Sequence, residues 1–180
     1  HHWTSLGAYY GCTALLEAMG LQPQPLGEGT VVSEDFNGTL YSTSGVHWLT
    51  PDTMETYVED EGVTVTVNDG ASLSTHGLYV EENLQGKDKY TYFLGGNNPL
   101  YILSNPNAQT DQKLLVVRDS YSDSLAPFLS QYFSEVHLLD LRYYRTSVAD
   151  YAETNGMDAI FVCYSVDNFQ SDSDVVFMGQ

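Results

Sequence analysis

The pattern of apolar and polar positions changes character along the chain. From Thr4 to Met19, residues Leu6, Tyr9, Tyr10, Thr13, Leu15 and Leu16 fall near helical spacing, and Ala8, Ala14 and Ala18 favour a helix. Thr4 or Ser5 supplies an N-cap oxygen, and Gly20 stops the helix with Pro23 and Pro25 beyond it. Residues 30–95 read differently. Val31-Val32, Thr39-Leu40-Tyr41, the alternating run Val63 to Val67, Leu78-Tyr79-Val80 and Tyr90 to Leu94 suggest short strands punctuated by Gly, Asn, Asp and Pro. Pro51 to Tyr57 suits a helical turn or a loop. This region is expected to be an irregular, β-containing insertion beside the main sheet.

The last half has a third rhythm. Leu114 to Val117 is a short, continuously apolar run, the mark of a strand buried on both faces. A helical pattern over 122–133 follows, then a strand over 136–141, a helix over 147–154 closed by Asn155-Gly156, and a strand over 159–164. Such β-α-β-α-β alternation predicts a single α/β domain over 1–180 with three layers and a mainly parallel sheet. The Asp- and Ser-rich tail from Ser165 is expected at the surface. Calcium binding by Asp167, Asp172 and Asp174 is the weaker alternative there, because the central Gly and closing Glu of an EF-hand loop are missing.

Charge narrows the partners. Six Lys and Arg against 24 Asp and Glu give a formal net charge of −18, which repels nucleic acid and anionic membrane surfaces. An extracellular or cell-surface protein fits this surface, although charge alone is explained as well by simple solubility. No apolar run reaches the roughly 18–20 residues of a membrane span, and no signal-peptide pattern opens the chain. The abrupt start reads as a fragment of a longer protein, so a membrane is expected only through a segment outside this chain. Cys12 and Cys163 read as buried small hydrophobes, with a disulfide as the alternative; they make no zinc site. No metal or cofactor is expected.

One serine stands where α/β sheets place their chemistry. Arg118-Asp119-Ser120-Tyr121 follows the apolar strand at once, and a strand-to-helix turn exposes a side chain while aiming backbone N–H groups at the same point. Ser120 is thus a candidate nucleophile, with its own N–H or that of Tyr121 as oxyanion donor. A plain helix cap is the other reading of Ser120, for which Ser122 and Asp123 compete. A serine nucleophile needs a base. His137 lies inside a strand, and His47 and His76 fall in the irregular region. His1 and His2 precede a helix N-terminus; they could be a purification tag, but Trp3-Thr4 continues without a linker.

These residues resemble a known family. His1-His2-Trp3-Thr4 with Gly7-Ala8-Tyr9-Tyr10 is similar to the start of the DHHW-motif family of Gram-positive bacteria, without its leading Asp. Arg118-Asp119-Ser120-Tyr121 and the run from Phe133 through Asp140 and Arg142 to Tyr143-Tyr144 resemble its second block. Gly38 to Tyr41 and Phe93 to Asn97 fit the segments between. The family is similar to alginate O-acetyltransferases and SGNH hydrolases, which implies an SGNH-like fold and serine-dependent acyl-ester chemistry. By that resemblance Ser120 is the nucleophile, His2 the base, and the orienting Asp would sit just before His1. Gly96 and Asn97 correspond to further oxyanion donors, and Arg142 would orient substrate or pair with a carboxylate. Where SGNH enzymes carry Gly-Asp-Ser, this chain carries Arg118-Asp119-Ser120. The implied function is an O-acetyltransferase or acetylesterase acting, outside the cytoplasm, on acetylated or acceptor polysaccharide of the cell envelope. A catalytically inactive surface module that binds glycans is the rival reading.

Overall fold

The computed structural model describes residues 1–179. In chain order the elements are α1 (Ser5–Ala18), β1 (Thr30–Phe36), α2 (Thr39–Ser44), β2 (Asp52–Thr56), β3 (Thr64–Asn68), β4 (Leu73–His76), β5 (Leu100–Ser104), β6 (Thr110–Arg118), α3 (Ala126–Leu129), β7 (Phe133–Leu139), α4 (Val148–Asn155), β8 (Ala159–Cys163) and α5 (Val166–Ser171). Six strands form one sheet in the order β4-β3-β5-β7-β6-β8, and β1 with β2 forms a separate antiparallel pair. The fold is α/β with a mixed sheet.

The parallel expectation holds only for β7-β6-β8; the β4-β3, β3-β5 and β5-β7 pairings are antiparallel. The reason lies between residues 64 and 104. Strands β3 and β4 belong to the main sheet rather than to an insertion beside it. Strand β5 had no counterpart in the sequence reading, yet it is the hinge of the topology, joining the antiparallel half to β7. Two other segments exchange type: Thr39-Leu40-Tyr41 begins a short helix closed by left-handed Gly45, and 52–56 is a strand.

Strand β6 is the spine. Leu114, Leu115, Val116 and Val117 are all fully buried, because parallel neighbours flank the strand and helices cover both faces. On one face Leu114 and Val116 meet α1, which buries Ala8, Cys12 and Leu16 at i, i+4, i+8 spacing. The helix is where the pattern put it, but its inward face differs, since Leu6 and Tyr10 are exposed. On the other face Leu115 and Val117 meet Val148 and Ala152 of α4, and Phe177 and Met178 of the tail pack there too. The helix expected over 122–133 is cut to α3; Pro127, its second residue, has no N–H to donate to the Asp123 carbonyl, so the α-helix does not run back to Ser122. Cys12 and Cys163 are buried free thiols, each pushed up to about 12 by burial, so the disulfide alternative is not realised.

Candidate active site

Strand β6 ends at Arg118, and a single 3-10 turn over Ser120–Ser122 follows. Asp119 shapes that turn. Its buried carboxylate accepts the Tyr121 N–H (3.0 Å), the Ser165 N–H (2.8 Å) and the Asn168 side-chain amide (2.7 Å). Burial works against its charge, but these donors hold the carboxyl below its ordinary value. The Tyr121 N–H is therefore committed to Asp119, which corrects its expected role as an oxyanion donor. The Ser120 N–H stands at the first position of the turn.

The N-terminal residues reach this turn from the other end of the chain. His2 Nε2 lies 2.8 Å from Ser120 Oγ. The segment is pinned by Trp3, whose indole N–H donates to the Tyr121 carbonyl (3.0 Å) and to Ser124 Oγ (3.1 Å). The Tyr121 hydroxyl donates to the His1 carbonyl. Thr4 then caps α1, its hydroxyl accepting the Gly7 N–H at 3.1 Å. Burial pushes the His2 imidazole well below its ordinary value, and the Asp119 carboxylate opposes this. The ring is thus a neutral imidazole at ordinary pH, the form that accepts a proton.

Ser120, His1 and His2 open into a cavity of about 100 Å³ whose walls include Gly96, Asn97 and Asp123. A turn with three successive left-handed residues brings Gly96 there: Leu94 (φ 61°), Gly95 (86°) and Gly96 (117°). Leu94 is the only non-glycine with positive φ among the described residues, a conformation that costs about 1 kcal/mol and that its complete burial sustains. The Tyr101 hydroxyl donates to the Gly96 carbonyl and accepts from the Asn98 amide at 2.7 Å. The turn is therefore held from behind, and Gly96 and Asn97 face the cavity together with Ser120.

Arg118 explains its own place in the motif. It is fully buried, donates to Asp123 at 2.7 Å and sits 5.2 Å from the Tyr101 ring centroid. Its Nε and Nη2 meet no acceptor among the described residues. The Asp123 carboxyl, buried at the cavity wall, is pushed up to about 7, with the Arg118 charge opposing that rise. Arg118 thereby links the turn after β6 to the Tyr101 ring that holds Gly96. Arg142 lies elsewhere. It pairs bidentately with buried Asp140 (2.9 and 2.6 Å) and does not line the cavity, so of its two expected roles the carboxylate partner is the one observed.

His137 is packed in β7 against Tyr151, and His47 is exposed, as their sequence context indicates. Tyr90 is the residue at this site that sequence reasoning missed. It lies in the 3-10 turn Lys89–Tyr92, stacks on His2, and reads in the sequence only as one aromatic of an apparent strand. No cluster of three or more His, Cys, Asp or Glu side chains is placed to hold a metal ion among the described residues. None of their helices is long and apolar enough to cross a membrane.

A mixed α/β sheet with a serine at a strand's carboxyl end and a histidine within hydrogen-bond distance defines a class of α/β proteins with a paired serine and histidine at the carboxyl edge of the sheet. Within that class, a family profile described as DHHW protein matches residues 1–139, and the chain belongs to the DHHW family. A DHHW family protein from Eubacterium siraeum DSM 15702 shares the fold with a TM-score of 0.79 at 23% identity, over 100% of this chain and 62% of that one. Bacillus cereus PatB1 with a sulfonyl adduct superposes with a TM-score of 0.78 at 21% identity, over 97% and 61% of the two chains. A second structure of Bacillus cereus PatB1 gives 0.72 at 21% identity, over 97% and 63%. The chain thus spans about three-fifths of the length of these relatives. No curated protein matches the sequence.

Proposed function

We propose that this chain carries the nucleophile and base of a serine-dependent acyl-ester enzyme of SGNH-like kinship. In this reading it is an O-acetyltransferase or acetylesterase acting on cell-envelope polysaccharide outside the cytoplasm. The observation that carries the reading is the 2.8 Å separation of His2 Nε2 and Ser120 Oγ. The neutral imidazole takes the Ser120 proton as Oγ attacks the acyl carbonyl. The Ser120 N–H, with Gly96 and Asn97 from the facing turn, receives the developing oxyanion; one such donor contributes roughly 3–4 kcal/mol to the transition state. Collapse expels the donor alcohol, which leaves with the proton held on His2. Water or an acceptor hydroxyl then gives its proton to His2 and attacks the acyl-serine, and Ser120 leaves with that proton. By the family resemblance, an Asp immediately before His1 would orient the imidazole and complete the triad logic.

The test is acetate release from p-nitrophenyl acetate by a chain that includes the residue before His1, with mass-spectrometric detection of a sulfonyl fluoride adduct on Ser120. Ser120→Ala is expected to abolish the adduct and lower release by about 10³-fold or more. Release unchanged in Ser120→Ala refutes the assignment. A glycan-binding module would instead show saturable glycan binding that survives Ser120→Ala, and no adduct in the parent chain.

A further inference from the structure

Tyr90 touches both halves of the reactive pair. Its ring lies parallel to the His2 imidazole, with centroids 3.7 Å apart and an interplanar angle of 6°. Its hydroxyl donates to the Ser120 carbonyl at 2.9 Å and lies 3.2 Å from Ser124 Oγ, and it accepts the Ser124 N–H at 3.3 Å. Ser124 Oγ also accepts the Trp3 indole N–H, so one tyrosine closes a network around both residues. The ring is 8% exposed and packs within a buried apolar group with Met54, Tyr92 and Phe93. A flat ring so anchored leaves the imidazole little freedom to tilt out of line with Ser120 Oγ.

We infer that Tyr90 is a positioning residue for the base, its face fixing the plane of the His2 ring and its hydroxyl fixing the turn that carries Ser120. The inference rests on the reading of Ser120 and His2 as nucleophile and base. Two contributions separate chemically. The face excludes water from one side of the imidazole, and the hydroxyl sets the height of the Ser120 backbone. Other charged and titratable groups around His2 are His1, Tyr121 and Asp119. Asp88 and Asp123 lie across the 100 Å³ cavity, and Asp52 and Glu55 line the cavity on the other side of the ring. A change at Tyr90 removes none of these charges, and Tyr90→Phe removes the hydroxyl alone, so a shift in the acid limb that appears in Tyr90→Ala and not in Tyr90→Phe reports the covered face.

The experiment is the pH dependence of Ser120 modification by phenylmethanesulfonyl fluoride in the parent chain, Tyr90→Phe and Tyr90→Ala. Tyr90→Phe keeps the stacked face: its acid limb stays in place while the plateau rate falls by about 10-fold. Tyr90→Ala opens the face to water: the limb moves up by about one pH unit, toward the free imidazole, and the plateau falls by about 100-fold, as a misplaced base requires. If Tyr90→Ala does not fold, Tyr90→Leu fills the space without a flat face and is expected to show the plateau loss alone. A plateau within about 3-fold of the parent in the Ala or Leu variant, or equal losses in the Phe and Ala variants with no movement of the limb, overturns the inference. Modification that persists in Ser120→Ala overturns the reading of the nucleophile instead, so the two failures are distinguishable.

Discussion

Gly11 lies in the middle of α1, where alanine is ordinarily the better residue by about 1 kcal/mol. Here that preference is reversed. A Cβ at Gly11 would lie 2.9 Å from both Cη2 and Cζ3 of the Trp3 indole, closer than carbon atoms pack. The indole has no room to yield freely, because its N–H is bonded to the Tyr121 carbonyl and Ser124 Oγ, and its Cβ side rests on Gly7. Overpacking of this kind costs about 1–3 kcal/mol. Set against the helix gain, Gly11→Ala should destabilise the chain by roughly 1 kcal/mol, a fall of about 2–4 °C in Tm for a domain of this size. The larger effect is on the site. Trp3 is covalently next to His2, so tilting the indole draws the imidazole off Ser120 Oγ, and a displacement of about 1 Å costs on the order of 100-fold in rate. Thermal melting and the rate of Ser120 sulfonylation, measured on the same preparation, check both parts. A variant that melts higher than the parent and is modified at the same rate would refute the view that Gly11 is a seat for Trp3.

Arg118→Ala strands the buried Asp123 carboxylate and should cost about 3–5 kcal/mol in urea unfolding, whereas Arg118→Met combined with Asp123→Leu should recover most of that loss. Burial holds the His2 imidazole below its ordinary value, so the base stays neutral as pH falls through the ordinary histidine range and is lost only below it. Ser120 sulfonylation should therefore hold its plateau to about pH 5; a midpoint near 6.5 would contradict the burial of the ring. Asp119→Ala removes three hydrogen bonds, to Tyr121, Ser165 and Asn168, and is expected to cost roughly 2–3 kcal/mol. Limited proteolysis should then cut first between residues 165 and 179.

The local signals with one physical meaning were legible in the sequence. Leu114 to Val117 announced a strand buried on both faces, and Ser120 followed it at the place where a turn exposes side chains. Thr4 and Gly20 bounded α1, and Asn155-Gly156 closed α4. What failed was pairing. Leu100 to Ser104 follows Asn97-Asn98-Pro99, so its apolar run was hidden behind loop-forming residues, and without it the antiparallel half of the sheet looked like an insertion. The inward face of α1 was misjudged because small residues, Ala8 and Cys12, allow the close approach to the sheet, while the larger Leu6 and Tyr10 remain outside. At the site, the motif carried His2 and Ser120. Tyr90 had no such signal, since stacking on a ring 88 positions away leaves no trace in its neighbours.

Strand β8 ends the sheet, pairing only with β6 among the described residues. Its Ile160 and Val162 are 50% and 43% exposed, and the segment Ala159–Cys163 contains no charge. An open edge of this composition invites a second copy to add its own strand. What opposes it is mutual repulsion between molecules carrying a net charge of −18, a long-range barrier that salt screens and that vanishes toward the isoelectric point near 4.1. In solution, the colloidal behaviour of this chain will thus be governed by ionic strength and acidity well before its folding stability is reached.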